Sequence, residues 1–261
     1  MRGAACAALS LSTKALEKGL ATHSSGNHAQ AVARAAQIMG IPAHIVMPSN
    51  APKIKVNAVK GYGAQVYMSG VRIEDREAMI EEVLDKCHAT FIHPYNNYNI
   101  IAGQATAAKE LLSTINNLDI IMAPVGGGGL LSGTALSTKY INEQIQVIGV
   151  EPKEVDDAFR SFHSGVLEKN TSINTIADGL RTMLGEFTLK IIRQYVDEIL
   201  TVKESSIIEA MQLIWERSKI VVEPSGAVPL AAIIENPERF RGKRVGIIIS
   251  GGNVDLKNLP F

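Results

Sequence analysis

Several features are scarce in this sequence. Cysteine occurs only at Cys6 and Cys87, aromatic residues make up 5%, and the 26 Lys and Arg are balanced by 26 Asp and Glu. Two distant cysteines exclude a disulfide scaffold and a cysteine-rich metal site, and they predict free thiols in a reducing compartment. A neutral chain with few aromatic residues argues against nucleic acid and acidic membranes as partners.

Long apolar runs are also missing. No run reaches the roughly 20 residues that a membrane-spanning helix needs, and Arg2 and Gly3 lead into a short Ala-rich segment that does not resemble a signal peptide. The 261 residues are 46% hydrophobic, which suits one large domain or two modest ones. The composition predicts a soluble, globular, cytoplasmic protein.

Short apolar runs of strand length alternate with helical segments along the chain. The predicted strands are 43–49, 64–69, 89–95, 120–125, 145–152 and 245–250. Predicted helices include 73–87, 101–115, 186–198 and 205–219. This alternation predicts an α/β fold with parallel sheets, in which ligands bind beyond the carboxyl ends of the strands. The nearly all-apolar run 245–250 is typical of a strand buried on both faces.

A run of glycines separates one apolar strand from the helix that follows it. These residues are Gly126, Gly127, Gly128 and Gly129, within the sequence IIMAPVGGGGLLSG. Backbone N–H groups of such a loop can converge on an anion, and the helix adds the positive end of its dipole. The pattern predicts a phosphate-binding loop, and the alternative is a flexible turn with no ligand.

Two further loops lie at strand ends. Residues 24–28, SSGNH, precede a helix predicted over 29–39, and the free N–H groups of a helix start suit a carboxylate. An ordinary helix cap explains the same pattern. Ser250 ends the last strand before two glycines and can offer its hydroxyl to a flat ligand, although a plain strand-to-turn transition explains it as well.

Taken together, these loops resemble those of the fold-type II pyridoxal-phosphate enzymes, in particular the serine racemase and serine/threonine dehydratase family. The shared motifs extend over nearly the whole chain: RGA (2–4), THSSGNHAQA (22–31), GIPAHIVMP (40–48), IHPYN (92–96), IAGQ (101–104), PVGGGGLLSG (124–133), GVEP (149–152), IADGLR (176–181), EPSGA (223–227) and SGGNVDL (250–256). The resemblance implies a tryptophan-synthase-β-like fold of two open, twisted, mostly parallel sheets flanked by helices. It implies a small domain of 19–96 and a large domain of 1–18 and 97–261.

The resemblance also implies roles for particular residues. The four glycines would hold the cofactor phosphate, Asn27 would hydrogen-bond the ring oxygen, and Ser250 would face the ring nitrogen. Glu223 would approach the ring or cap the helix that it precedes. Ser25 would be the acid/base on the face opposite the Schiff-base lysine. The substrate carboxylate would be bound by Ser24, Ser25, Asn27 and His28.

The lysine itself departs from the pattern. The family motif is S-F-K-x-R-G-A, and residues 2–4 match R-G-A, so the lysine would fall just before Met1. Lys53, Lys55 and Lys60 lie on what we interpret as a solvated surface helix, so none of them replaces it. A lysine amine carries the cofactor and abstracts the α-proton. We therefore expect this chain to be an N-terminally truncated form that is catalytically inactive or severely impaired.

Acidic residues crowd the segment EPKEVDD, 151–157. Hard oxygen ligands in a short loop suit Mg²⁺, Mn²⁺ or Ca²⁺, and a solvated acidic turn is the alternative. The resemblance implies that the ligands are Glu151, the backbone carbonyl of Val155 and Asp157, and that the ion is structural and activating.

The expected function is a pyridoxal-phosphate-dependent serine racemase with serine dehydratase activity. The alternatives are a threonine dehydratase and a non-catalytic subunit that binds the cofactor without reacting. The resemblance adds serine or threonine as substrate, a homodimer and an ATP effector as expectations. His23 and His93 show no zinc-ligand spacing, and we interpret them as structural.

Overall fold

A computed structural model describes all 261 residues. They divide into two compact units, Met1–Gly103 and Gln104–Phe261. Each unit contains one four-stranded sheet, and every strand pairing is parallel. This confirms the predicted α/β fold with two parallel sheets. The predicted domain segments stay a prediction, and this division places residues 1–18 and 97–103 in the first unit.

The first unit holds strands β1 to β4, in the sheet order β3-β2-β1-β4. The strands are β1 (Leu20–His23), β2 (Ala43–Pro48), β3 (Gln65–Ser69) and β4 (Thr90–Phe91). The helices are α1 (Arg2–Leu9), α2 (Thr13–Leu16), α3 (Asn27–Met39), α4 (Lys53–Gly61), α5 (Ile73–Cys87) and α6 (Tyr98–Thr114), and α6 continues past the unit boundary.

The alanines of α1 explain why the N-terminal residues belong to this unit. Ala4, Ala7 and Ala8 are buried in the same apolar cluster as the alanines of α3. Small side chains let two helix backbones approach closely, so α1 packs on α3, and α3 in turn packs on β1 and β2. The central strand β1 is buried along its whole length, and its carboxyl end leads directly into residues 24–26.

The second unit holds strands β5 to β8, in the sheet order β7-β6-β5-β8. The strands are β5 (Ile120–Pro124), β6 (Gln146–Pro152), β7 (Glu198–Val202) and β8 (Val245–Ile247). The helices are α7 (Gly129–Ile141), α8 (Asp157–Ser164), α9 (Glu186–Tyr195), α10 (Glu204–Leu213), α11 (Pro224–Glu235) and α12 (Pro237–Phe240). A 3-10 turn covers Asp178–Leu180, and a π-helical turn covers Ile214–Ser218.

Two sequence expectations are corrected. The run 245–250 was expected to be a strand buried on both faces, but β8 is a three-residue edge strand, and Ile249 and Ser250 are exposed. The strand expected over 89–95 is only Thr90–Phe91. Both cysteines are free thiols, as predicted. None of the helices combines the length and apolar character that crossing a bilayer requires.

Candidate active site

In the first unit, the loop after β1 forms the start of helix α3. Gly26 is the N-cap and α3 begins at Asn27, which confirms that SSGNH lies at a helix N-terminus. Ser24 is tied to the neighbouring strand because its N–H donates to the carbonyl of Val46 at 3.0 Å. The N–H of Gly26 donates to the Ser24 hydroxyl at 3.3 Å. The predicted carboxylate-binding groups therefore share one short, anchored turn.

Lys55 is a correction to the sequence analysis. It was expected on a solvated surface, but only 4% of it is exposed, whereas Lys53 and Lys60 are exposed as predicted. A Cβ added to Gly26 would lie 3.0 Å from Lys55 Cδ and 3.2 Å from its Nζ. The lysine stem thus fills the space behind the loop, and a side chain at position 26 would require it to move by a few tenths of an ångström. The Lys55 ammonium group therefore lies close to the predicted carboxylate-binding turn.

Three histidines surround this loop in a neutral state. Burial is the largest cause that lowers the pKa of His23, His28 and His93, each to about 4. A ring nitrogen of His28, Nε2, lies 3.2 Å from the carbonyl oxygen of Ile92. The charge of Arg76 further lowers the pKa of His23, and Arg76 Nε is buried without a hydrogen-bond partner. These positions suit the structural interpretation of His23 and His93.

In the second unit, the glycine run links β5 to α7 as predicted. Gly128 is the N-cap of α7 and has a φ of +87°, a left-handed conformation that glycine adopts without strain. No group of the protein accepts a hydrogen bond from the N–H groups of Gly126 to Gly129. These unused donors at a helix N-terminus fit an anionic phosphate.

A second loop covers one side of the glycine run. A Cβ on Gly126 would lie 3.0 Å from Leu180 Cα and 3.2 Å from the carbonyl oxygen of Gly179. The N–H of Gly179 in turn donates to the hydroxyl of Ser225 at 3.0 Å, at the start of α11. Residues 179–180 therefore connect the glycine run with the start of helix α11, by packing on one side and a hydrogen bond on the other.

The SGGN loop lies against the same end of α11. The N–H of Glu223 donates to the carbonyl of Gly251 at 2.9 Å, and Glu223 Oε2 accepts from the N–H of Asn253 at 3.2 Å. Glu223 is almost fully buried and makes no side-chain cap to its own helix, so it braces the SGGN loop. The exposed Ser250 precedes Gly251 directly. The segments 126–129, 179–180, 223–226 and 250–253 thus form one continuous group of loops.

The predicted metal ligands lie at the end of β6 and the start of α8. Glu151 accepts from the N–H groups of Phe159 at 2.6 Å and Ala158 at 3.3 Å. Burial raises the pKa of Glu151 well above its usual value and that of Asp157 to about 6. Asp157 Oδ1 is buried without a hydrogen-bond partner, which fits a bound cation.

The rest of the predicted metal site is incomplete as a side-chain cluster. Val155, whose carbonyl was predicted as a ligand, is buried. In sequence it lies between Glu151 and Asp157. Asp156 instead pairs with Arg160 at 2.9 Å, and Glu154 is exposed. No group of three or more His, Cys, Asp and Glu side chains is arranged to hold a metal ion. The site would therefore rest on two carboxylates and a carbonyl, and it stays a prediction.

Comparison with known proteins identifies the family. The family described as pyridoxal-phosphate dependent enzyme matches residues 1–251. The chain belongs to this family. It is 44% identical over 261 residues to the β-hydroxyaspartate dehydratase of Paracoccus denitrificans, covering 100% of this chain and 83% of that relative. It is 48% identical over 263 residues to the serine racemase of Arabidopsis thaliana, covering 99% and 80%.

The fold of this pyridoxal-phosphate family member agrees with a solved structure. Maize serine racemase superposes with a TM-score of 0.95 at 44% identity, covering 98% of this chain and 79% of that one. The family match confirms the fold class predicted from the motifs. It also makes pyridoxal phosphate the cofactor of the family. That the glycine run binds its phosphate stays a prediction.

Sequence reasoning missed three residues that shape these loops. Lys55 backs the SSGNH turn, Ser225 joins the loop at Gly179 to α11, and Thr188 contacts Gly127. The pair Lys55 and Val59, four residues apart, was a signal of a buried helix face in α4. Nothing local distinguishes Ser225 or Thr188, because their partners lie far away in sequence.

Proposed function

We propose that this protein is a pyridoxal-phosphate-dependent serine racemase with serine dehydratase activity. The observation that carries the proposal is the glycine run, whose four N–H groups are unused at the N-terminus of α7. Similarity to serine racemases over nearly the whole chain supports the choice of serine as substrate.

When bound, the cofactor withdraws electrons from the substrate Cα and so lowers the cost of removing its proton. The chain's own groups then bind the substrate and move protons. The turn of Ser24, Ser25, Asn27 and His28 would hold the carboxylate, and Lys55 behind Gly26 adds favourable charge. Ser250, a hydroxyl rather than a carboxylate, would leave the ring nitrogen unprotonated and the electron demand moderate.

The two activities differ in where one proton goes. In racemisation the α-proton leaves one face of Cα and another proton is delivered to the opposite face, for which Ser25 is the proposed donor. In dehydration the α-proton is removed, the β-hydroxyl leaves with a proton as water, and hydrolysis of the product gives pyruvate and ammonia. Neutral His23, His28 and His93 add no positive charge of their own near this turn.

A second candidate substrate is 3-hydroxyaspartate. One relative is a β-hydroxyaspartate dehydratase, and such a substrate carries a second carboxylate that needs a cation. Arg76 offers one, because its Nε is buried without a hydrogen-bond partner and its charge acts on His23, the residue before Ser24. Threonine dehydration remains a further alternative, since it needs the same groups as serine dehydration.

The family motif assigns no Schiff-base lysine to the residues described above, and both the inactivity of this chain and the non-catalytic alternative stay predictions. A divalent metal, an ATP effector, a homodimer and a cytoplasmic location are likewise proposals that rest on the family resemblance.

The test combines cofactor binding with proton exchange. The chain is mixed with pyridoxal phosphate and serine, threonine or 3-hydroxyaspartate in D₂O, and deuterium at Cα, D-serine and ammonia are measured. We expect dialysable cofactor, no adduct trapped by borohydride, and exchange only when methylamine supplies the missing amine. Absence of any cofactor binding would refute the proposed function. Normal turnover without methylamine would refute the predicted inactivity alone.

Exchange that favours 3-hydroxyaspartate over serine would support the second candidate. In that case Arg76→Ala should reduce exchange of 3-hydroxyaspartate at least tenfold more than exchange of serine, because only the former has the second carboxylate. Equal effects on both substrates would exclude Arg76 as the group that recognises it.

A further inference from the structure

Thr188, in the first turn of α9, contacts the glycine run. It is fully buried, and two carbonyl oxygens lie within reach of the single proton of its hydroxyl Oγ1: that of Gly127 at 2.9 Å and that of Gly185 at 3.0 Å. We take Gly127, at the shorter distance, as the acceptor. Thr188 Oγ1 itself accepts from the N–H of Gly185 at 2.9 Å. Thr188 thus joins the beginning of α9 to a loop that lies 61 residues earlier in sequence.

This hydrogen bond has a consequence for the neighbouring N–H group. The carbonyl of Gly127 and the N–H of Gly128 belong to one planar peptide group and point in opposite directions. Holding the carbonyl on Thr188 therefore aims the N–H of Gly128 away from α9. That N–H is one of the unused donors of the glycine run.

The side chains of Thr188 and Leu184 also pack against the Gly127–Gly128 peptide. A Cβ on Gly128 would lie 2.7 Å from Thr188 Cβ and 2.8 Å from Leu184 Cδ2. The backbone of the loop therefore lies directly on these two side chains. They leave no room for a side chain at position 128.

The other end of this segment is attached to Asp157. The N–H of Leu184 donates to Asp157 Oδ2 at 3.0 Å, and Asp157 is the buried first residue of α8. The residues from Leu184 to Thr188 are consequently held at one end by Asp157 and hold Gly127 at the other.

We propose that Thr188 is a positioning residue of the phosphate-binding loop, and that Asp157 acts on this loop through residues 184–188. The inference rests on the proposed function, because it takes the cofactor phosphate as the ligand of the loop. Neither residue touches the phosphate in this account. An ion bound at Glu151 and Asp157 would influence cofactor affinity by the same route.

The first test compares two ligands that differ only in the phosphate. Binding of pyridoxal phosphate and of pyridoxal to the full chain is measured by absorbance titration for wild type, Thr188→Val and Thr188→Ser. Loss of a buried hydrogen bond that leaves its carbonyl unsatisfied should weaken pyridoxal phosphate binding by about tenfold. Pyridoxal binding should change less than about twofold, and Thr188→Ser should restore most of the affinity.

The matched control is Thr138→Val. Thr138 is equally buried, and its hydroxyl donates to a backbone carbonyl, that of Thr134, within α7. The Thr138→Val variant should bind pyridoxal phosphate and pyridoxal with unchanged affinity. A Thr188→Val variant that keeps the wild-type preference for the phosphorylated ligand would overturn the positioning role.

A second measurement does not need the cofactor. Amide NMR signals of ¹⁵N-glycine report the orientation of the Gly126–Gly129 peptides, and Thr188→Val should shift the Gly128 signal whereas Thr138→Val should not. An unshifted Gly128 signal would overturn the proposal even if wild type binds the cofactor. A shifted signal in a protein that binds no pyridoxal phosphate would support the positioning role while refuting the proposed function.

The connection to Asp157 is tested by a double-mutant cycle. Asp157→Ala removes the acceptor of the Leu184 N–H, and Asp157→Asn keeps an oxygen there. If both residues act through one segment, Asp157→Ala combined with Thr188→Val should bind pyridoxal phosphate about as weakly as Thr188→Val alone. Independent effects that multiply would overturn the proposed route. Should Thr188→Val fail to fold, a wild-type affinity in Asp157→Ala would overturn it equally.

Discussion

His93 shows how a single side chain is kept neutral. Its Nδ1 accepts from the N–H of Asn96 at 2.9 Å and of Tyr95 at 3.2 Å, so this nitrogen carries no proton. Burial lowers its pKa from 6.5 to about 4. The folded protein then binds fewer protons than the unfolded chain, so stability decreases as the pH falls through 6.5 toward 4.

His93→Asn should therefore reduce acid sensitivity, because asparagine keeps an acceptor for both N–H groups and does not titrate. We expect the loss of unfolding free energy between pH 7 and pH 5 to shrink by roughly 1 kcal/mol, allowing for partial exposure of the ring. Urea unfolding at both pH values measures it. His88→Asn, at an exposed histidine, is the control. Identical acid sensitivity in His93→Asn and wild type would contradict the assignment.

Gly128 combines a left-handed backbone with a crowded position. Gly128→Ala should cost roughly 1–2 kcal/mol for its φ of +87° and a further 1–3 kcal/mol for contact with Thr188 and Leu184. Gly40 has a φ of +68° with nothing within 4 Å of an added Cβ, so Gly40→Ala should cost only the first amount. If the two variants lose the same unfolding free energy within error, the loop around Gly128 accommodates the added methyl group without a packing cost.

At the scale of elements, apolar runs located most strands, but their lengths depended on neighbours. The N–H of Ile92 still donates to the carbonyl of Ala21 in β1, but the N–H groups of Tyr95 and Asn96 bond to His93 instead of to a strand. At β8 the apolar composition of 245–250 predicted burial on both faces, but only β5 pairs with it. Composition indicates whether a segment tends to form a strand, whereas its hydrogen-bonding partners determine where that strand ends.

Helix α4 illustrates the same point and yields a prediction. Lys55 and Val59 share its buried side, and Lys60 is exposed. Lys55→Ala should lower the unfolding free energy by about 1–3 kcal/mol, because the lysine stem packs behind Gly26. Lys60→Ala should change it by less than about 0.5 kcal/mol. Chemical denaturation compares them, and equal small effects would place Lys55 on the solvated face after all.

For the whole molecule, sequence motifs identified the loops at the strand ends but not the contacts that brace them. SSGNH, the glycine run and SGGN each follow a strand of a parallel sheet, as the alternating pattern predicted. The supports are long-range: Thr188 with Gly127, Ser225 with Gly179, and Glu223 with Asn253. Such pairs depend on how distant helices pack, and a single sequence carries no local signal for them.

The predicted cation should stabilise the folded chain as a whole. Burial raises the pKa values of Glu151 and Asp157, so their charged forms are costly in the folded state without a cation. A cation that binds only the folded chain adds about 2.7 kcal/mol at one hundred times its dissociation constant. We expect Mg²⁺ to raise the melting temperature at pH 7.5 and EDTA to reverse the increase.

Asp157→Asn separates this account from a purely structural role for Asp157. Without Mg²⁺ the variant should melt at or above the wild-type temperature, because it removes a costly buried charge yet keeps an oxygen for the Leu184 N–H. It should also lose the response to Mg²⁺. Asp156→Asn, at a residue already paired with Arg160, should keep that response. A wild-type melting temperature that changes with neither Mg²⁺ nor EDTA would argue against an ion bound at these carboxylates.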